Sequence, residues 1–158
     1  KEQLQFMLAC GVNTILLSHS PTTTFSYFSS NEFGADAFTV ELGKVRPFGE
    51  NDMANFAGVT QTLTRFISGE DLQLKDYNSD DFSIFEIYQT INREQEDFTL
   101  HFADDVENFT DFPEGYLLAT DGELEHRVKK AGEAIIFPNA GVAIGQRALL
   151  TVIPTDIE

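Results

Sequence analysis

Ala37-Phe38-Thr39-Val40-Glu41-Leu42-Gly43-Lys44-Val45-Arg46-Pro47-Phe48-Gly49 is the stretch from which the rest of the chain is read. Residues 37–42 have the alternation of a short strand, on which successive side chains point to opposite faces. Phe38, Val40 and Leu42 then go one way, and Ala37, Thr39 and Glu41 the other. The glutamate shares its face with small side chains, which leaves room for a ligand beside the carboxylate. Gly43 ends the strand where the backbone can enter a conformation closed to other residues. Two cations, Lys44 and Arg46, follow at once. A solvent-facing glutamate on an edge strand fits the same pattern, so both readings stand at this point.

Upstream, Leu4, Met7 and Leu8 recur at helical spacing and Gly11 sits where a C-cap glycine belongs, which predicts a helix over residues 2–10. Cys10 falls in its last turn and reads as a small buried hydrophobe. Residues 12–18 are a short run of branched apolar residues, as in a strand buried within a sheet covered by helices. Ser18-His19-Ser20 resembles a nucleophile beside a base, but neighbours on an extended chain diverge, so no catalytic pair is read there. His19 fits a hydrogen-bonded structural residue and equally one standing behind a metal ligand. Residues 21–31 are uncharged and crowded with hydroxyls and aromatic rings, and read as a loop. There the hydroxyls of Thr23 and Thr24 suit a substrate carboxylate and, equally, local turns.

Downstream, Asn51 or Asp52 caps a helix with Met53, Phe56, Ala57, Leu63 and Ile67 on its apolar side, and Gly69 ends it. Residues 1–69 thus alternate strand and helix, the mark of the α/β class with a mainly parallel or mixed sheet. Ligands in such sheets bind at strand C-terminal ends, where Glu41 falls.

From residue 72 the pattern changes to short strands over residues 82–91, 98–102, 116–120, 123–128, 133–137 and 148–153, with Asp121-Gly122 a two-residue hairpin signal. Residues 70–158 therefore read as a compact antiparallel barrel or sandwich of about six or seven strands. His101 and His126 lie on polar alternations and read as surface residues. The hairpin rhythm looks like the barrel-sandwich modules that carry biotin or lipoate, which makes a non-enzymatic binding or carrier module the rival reading. Such carriers need a lysine at a hairpin tip, whereas Lys129 and Lys130 fall beyond the second strand.

Composition sets limits. The 158 residues are 42% hydrophobic, enough for one domain or for part of one plus a small second. No apolar run reaches the roughly 20 residues of a membrane-spanning helix, and no basic region followed by an apolar core opens the chain, so neither a membrane partner nor a signal peptide is expected. A single cysteine fits a reducing compartment, with bacterial cytoplasm the simplest home. Residues 70–125 hold 17 acids against only Lys75 and Arg93, and supply nearly all of the net charge of −16. Nucleic acid is thereby disfavoured as a partner. An anionic substrate has to be caught by local cations, for which Lys44, Arg46 and, more remotely, Arg147 are the candidates. Nothing in the sequence sets an oligomeric state.

Pro21-Thr22-Thr23-Thr24-Phe25-Ser26, Gly34 through Gly49, and Ile136-Phe137-Pro138-Asn139-Ala140 together resemble the succinylglutamate desuccinylase/aspartoacylase family of zinc carboxypeptidase-like amidohydrolases. The resemblance runs through essentially the whole chain. It implies a mixed-sheet α/β catalytic part over residues 1–69 followed by a small all-β module over residues 70–158. It also implies zinc-assisted cleavage of a small anionic N-acyl amino acid, N-succinyl-L-glutamate, to succinate and glutamate, the last step of succinyltransferase-type arginine breakdown. Glu41, within Thr39-Val40-Glu41-Leu42-Gly43, matches the family's general base and acid. Lys44, Arg46, Thr23, Thr24 and Arg147 are the candidates for holding substrate carboxylates. The family's zinc sits on a His-x-x-Glu motif and a later histidine in an Asp-Leu-His context, and this sequence contains neither. The resemblance is therefore to the C-terminal part of such an enzyme, with one zinc per subunit expected on ligands outside these residues and no hydrolysis expected from the chain by itself. In the aspartoacylase branch an arginine follows the paired threonines; here Phe25 stands in that place. By analogy with that branch, the loop at residues 138–141 is expected over the active-site entrance.

Overall fold

A computed structural model describes residues 1–18, 21–43 and 46–157. The chain divides into two compact units, Lys1–Thr14 with His19–Phe82, and Ile15–Ser18 with Ser83–Glu158. The whole is mixed α/β, as the sequence predicts, with helices in the first unit and two sheets in the second.

The first unit is built on α1 (Glu2–Ala9), α2 (Phe25–Phe33) and α3 (Ala57–Ile67). Gly11 and Gly69, at φ +81° and +74°, follow α1 and α3 as expected. The Asp52 side chain accepts from the Ala54 amide at 3.0 Å and opens the short 3₁₀ turn Met53–Phe56 that leads into α3. α1 and α3 meet through the edge-to-face rings of Phe6 and Phe66, with centroids 5.7 Å apart, and through small and polar residues. Thr62 is buried and donates its hydroxyl to the Ala9 carbonyl at 2.7 Å, closing one of the carbonyls that a helix end leaves open. Gly58, one turn earlier, faces the Cys10 carbonyl so closely that a Cβ there would lie 2.5 Å from its oxygen. The expected apolar side of α3 is therefore not its packed side: Leu63, Ile67 and the preceding Met53 are exposed. Cys10 is buried, and burial raises its thiol pKa despite an opposing hydrogen bond with Thr62, in keeping with a packing role.

Two expectations in this unit need correction. Residues 25–33 form a helix rather than a loop, because Thr24 caps it by accepting from the Tyr27 amide at 3.3 Å and Gly34 closes it at φ +64°. Residues 37–42 form no strand. A strand exists only with a neighbour to complete its ladder, and no described strand lies beside this segment. Phe38 instead lays its ring against Phe6 of α1, with centroids 6.0 Å apart.

The second unit has a five-stranded sheet and a three-stranded one. Its strands are β1 (Thr14–Leu17), β2 (Ser83–Asn92), β3 (Thr99–Leu100), β4 (Thr110–Asp111), β5 (Leu117–Asp121), β6 (Leu124–Arg127), β7 (Ala134–Ile136) and β8 (Arg147–Pro154), in the orders β1-β2-β8-β7-β4 and β3-β5-β6. β1 is the apolar run expected over residues 12–18, but it lies at the edge of this sheet and is only partly buried, not enclosed between helices. β8 pairs antiparallel with β2 on one side and β7 on the other. Its two faces feed different clusters: Leu149 packs with Ile91, Leu118 and Ile135, whereas Leu150 and Val152 pack with Ala134 and Ile136.

Polar groups inside this unit are paired with two exceptions. The β5–β6 hairpin pairs Asp121 with Leu124, so its tip is Gly122-Glu123, one residue later than the sequence predicts. Asp121 is released from the turn and is buried, where its carboxylate accepts from the Glu94 and Gln95 amides at 2.9 and 2.8 Å. Glu133, 1% exposed, accepts from the Gln89 side-chain amide and, at 2.8 Å, from the Lys129 amide. The exceptions are Thr151 Oγ1 and His126 Nε2, both buried and without a partner among the described residues. His126 is thus half-buried, not a surface residue, whereas His101 is exposed, with Nε2 3.0 Å from the Thr120 hydroxyl.

Two outcomes follow from this packing. Gly58→Ala pushes a methyl group into the Cys10 carbonyl and should cost the first unit about 1–3 kcal/mol, read as a lower urea midpoint, with a serine at 58 no better. Desolvation lowers the His126 pKa below its ordinary value, Lys129 adds to this, and Asp121 opposes it. The unfolded chain therefore takes up a proton, as pH falls through about 6.5, that the folded chain refuses, so His126 subtracts stability as pH falls. Unfolding free energies measured at pH 7.5 and pH 5.5 should shift in favour of His126→Gln over the parent chain at the lower pH, and a pH-independent difference between the two would contradict this.

Candidate functional site

The site is assembled within the first unit, from the capped start of α2 and the segment that leads to Glu41. Thr24 sits at the N-cap with extended backbone, which turns its hydroxyl back over the first turn of the helix. From there a line of hydroxyls runs in both directions. Thr22 Oγ1 lies 2.8 Å from Thr24 Oγ1, Thr24 Oγ1 lies 3.1 Å from Ser26 Oγ, and Ser26 Oγ lies 3.3 Å from Thr39 Oγ1. The last of these bonds ties the helix start to residues 37–43, two positions before Glu41. An open depression of about 480 Å³ lies at the start of α2, lined by Thr22, Thr23, Thr24, Phe25, Phe28 and Glu32 among others.

Glu41 itself is exposed. Gly43 then takes φ +95°, which requires glycine by conformation, and a Cβ there would come within 3.2 Å of the Asn55 side-chain amide, which would have to shift slightly. That requirement holds although the strand expected before it does not form.

The remaining candidates divide. Thr23 and Thr24 line the depression, and Arg46 is exposed in the same unit. Lys44, like His19, lies outside the described residues. Arg147 opens β8 in the second unit, where its guanidinium stands 5.7 Å from the Phe137 ring centroid. The loop after Phe137 is held by its own asparagine, since Asn139 Oδ1 accepts from the Gly141 amide at 2.9 Å and the Asn139 amide donates to the Ala148 carbonyl at 2.8 Å. Ser26 and Thr39 were not singled out from the sequence. The available signal was the alternation that puts Thr39 on the Glu41 face, together with hydroxyls at 22, 24 and 26.

Among the described residues no group of three or more histidine, cysteine, aspartate or glutamate side chains could hold a metal ion. These residues do not make a zinc site. The carrier reading loses its anchor as well: the β5–β6 tip carries no lysine, and Lys130 lies with its ammonium 4.5 Å from the Tyr88 ring centroid. No helix among the described residues is long and apolar enough to cross a membrane.

Comparison with known proteins gives one family at both ends of the chain. Residues 1–67 match the succinylglutamate desuccinylase/aspartoacylase catalytic domain, and residues 80–155 match the AstE/AspA barrel-sandwich hybrid domain. Across all 158 residues the chain is 60% identical to a succinylglutamate desuccinylase of Pseudoalteromonas atlantica and covers 45% of that protein. It is 57% identical to the succinylglutamate desuccinylase of Idiomarina loihiensis, with 46% of that protein covered. The crystal structure of the succinylglutamate desuccinylase from Vibrio cholerae superposes with a TM-score of 0.85 at 36% identity, over 97% of this chain and 44% of that one. The chain thus spans about half the length of the curated relatives it matches.

Proposed function

The chain belongs to the succinylglutamate desuccinylase/aspartoacylase family, and from that premise we propose that it forms the Glu41-bearing part of an amidohydrolase that cleaves N-succinyl-L-glutamate to succinate and L-glutamate. The observation that carries this reading is the 60% identity, over every residue of the chain, to a protein named for that reaction. The hydroxyl line from Thr22 to Thr39 supports it, because it connects a place where a carboxylate can be held to the segment that bears the proposed acid–base residue.

The chemistry assigns the roles. Amide hydrolysis needs a water that gives up a proton and an amine that receives one before it leaves, and one carboxylate can do both in turn. Glu41 takes the proton from water and returns it to the glutamate nitrogen. The substrate carries three carboxylates, while the net charge of the chain is −16, so long-range attraction is absent and short-range donors must hold it. Thr23 and Thr24 serve as hydroxyl donors at the depression, with Arg46 and Lys44 as the cations that follow Glu41 in sequence and Arg147 as a further cation. A charge-assisted hydrogen bond of this kind is worth roughly 1.5–3 kcal/mol. Zinc, which the family implies, has no ligand set among the described residues. On the same reading its ligands belong to polypeptide outside this chain. A reducing bacterial cytoplasm is the proposed setting.

The test is release of glutamate from N-succinyl-L-glutamate, set against N-acetyl-L-aspartate, by a protein in which this chain is joined to the part of the Pseudoalteromonas relative that it does not cover. Cleavage of the succinyl substrate is expected, and Glu41→Gln should lower kcat by about 10²–10⁴-fold with little change in KM. Near-normal turnover in that variant would remove Glu41 from the mechanism, and preference for N-acetyl-L-aspartate would replace the substrate. Ser26→Ala and Thr39→Val should each lower kcat, and the two effects together should be less than additive, because both break the same bond; fully independent effects would mean that the Ser26–Thr39 contact does not position Glu41.

A further inference from the structure

The loop between β7 and β8, residues 137–146, is exposed along most of its length, yet one half-buried side chain of the second unit clamps it. The Arg93 guanidinium forms no ion pair among the described residues, where the three pairs belong to Arg65, Lys75 and Arg127, although the chain carries 26 acids. It donates instead to four carbonyls: Gln95 at 3.1 Å and Glu96 at 2.9 Å close in sequence, and Val142 at 2.9 Å and Ala140 at 3.4 Å in the loop. The Arg93 backbone holds the end of the loop as well. Its amide donates to the Gln146 carbonyl at 2.9 Å and its carbonyl accepts from the Gly145 amide at 2.7 Å. The planar fork of an arginine can serve several carbonyls at once; the compact ammonium of a lysine cannot reach them together.

The start of the loop is strained. Phe137 takes φ +52°, with its amide bonded to Asn108 Oδ1 at 2.8 Å, and it precedes Pro138, which narrows its choices further. Glycine would meet that backbone without strain, so what phenylalanine adds there is a ring. Phe109, also at positive φ, packs its ring against Phe85 in a core cluster, with centroids 4.9 Å apart. The Phe137 ring is instead 37% exposed, and the Arg147 guanidinium stands over it at 5.7 Å. Arg147 is itself exposed and outside the three ion pairs. We propose that Arg93 and Phe137 are positioning residues for Arg147, Arg93 by fixing the loop that runs into it and Phe137 by seating its guanidinium, so that Arg147 meets a substrate carboxylate already in place. Loops held in this way and strained residues both concentrate where function needs one conformation, and fixing a cation beforehand lowers the cost of binding. The proposal rests on the reading of Arg147 as a cation for the N-acyl amino acid; the two residues behind it are what the structure adds.

The experiment uses the protein in which this chain is joined to the uncovered part of the Pseudoalteromonas relative, with N-succinyl-L-glutamate as substrate. Arg147→Ala and Arg93→Lys should each raise KM about ten- to a hundredfold with kcat within about twofold. Because Arg93 acts through Arg147, the double variant should be no worse than Arg147→Ala alone, and additive effects would overturn the proposal. Phe137→Gly separates positioning from folding: it relieves the backbone, so the urea midpoint should hold or rise while KM rises about tenfold or more. An unchanged KM in either Arg147→Ala or Phe137→Gly would overturn the proposal, and these two variants carry the test if Arg93→Lys does not fold. Amide hydrogen exchange needs no substrate: residues 139–146 should exchange about tenfold faster in Arg93→Lys, and equal exchange would remove Arg93 as the clamp. If the joined protein cleaves nothing, the enzymatic reading fails, and calorimetric titration with N-succinyl-L-glutamate decides the loop separately. Binding that weakens about tenfold or more in Arg147→Ala and in Phe137→Gly would support it; absent binding, or equal binding by the variants, would overturn it.

Discussion

A helix of about ten residues gains too little from its own hydrogen bonds to stay folded in water, so what covers it decides whether it exists. The two units meet this constraint differently. In the second, β8 is hydrogen-bonded on both edges and buried on both faces, and the buried hydrophobic residues of that unit, Ile84 apart, fall in two clusters that include its side chains. In the first, only Leu4, Met7 and Cys10 are buried hydrophobics among the described residues. Full burial of one phenylalanine or leucine is worth about 1.5–3 kcal/mol, and Phe25, Phe33 and Ile67, at 83%, 75% and 82% exposed, contribute little of it to the first unit.

Besides the rings of Phe38 and Phe66 against Phe6, close approach and polar closure hold the first unit together. Gly58 brings α3 against the Cys10 carbonyl, and Thr62 closes the Ala9 carbonyl one turn later. A glycine and a threonine four residues apart carry no hydrophobic signal, which is why the packed face of α3 was not legible while its apolar face was. The same logic applies inside the second unit, where Asp121 looked like half of a tight turn and is in fact a buried acceptor for the Glu94 and Gln95 amides. A carboxylate beside a glycine is equally suited to both roles, and the choice is made by a loop 26 residues away.

Strand existence in the second unit was plain, the two-residue β4 apart, because alternation and turn residues agree there, and β2 to β8 each find an antiparallel neighbour. Residues 37–42 have the alternation without the neighbour, and alternation alone does not make a ladder. Residues 25–33 reversed the error: serine, asparagine and aromatic residues have middling helix propensity, and the helix is decided by its ends, Thr24 and Gly34. The candidate stretch was therefore singled out by its wording, with Gly43 required by its φ of +95°, while the hydroxyl line that links it to α2 appears only once the helix is recognised.

The exposure of Glu41 bears on how the proposed site would work. A proton transfer from water gains from a carboxylate whose charge is felt at full strength, and bulk solvent weakens that: two unit charges 4 Å apart interact by about 1 kcal/mol in water and about 4 kcal/mol where the effective dielectric constant is near 20. The depression at Thr22–Thr24 is open, and the Ser26–Thr39 bond that joins it to the Glu41 segment lies at the surface too. The same side chains, Phe25 and Phe28, wall the depression and are themselves exposed.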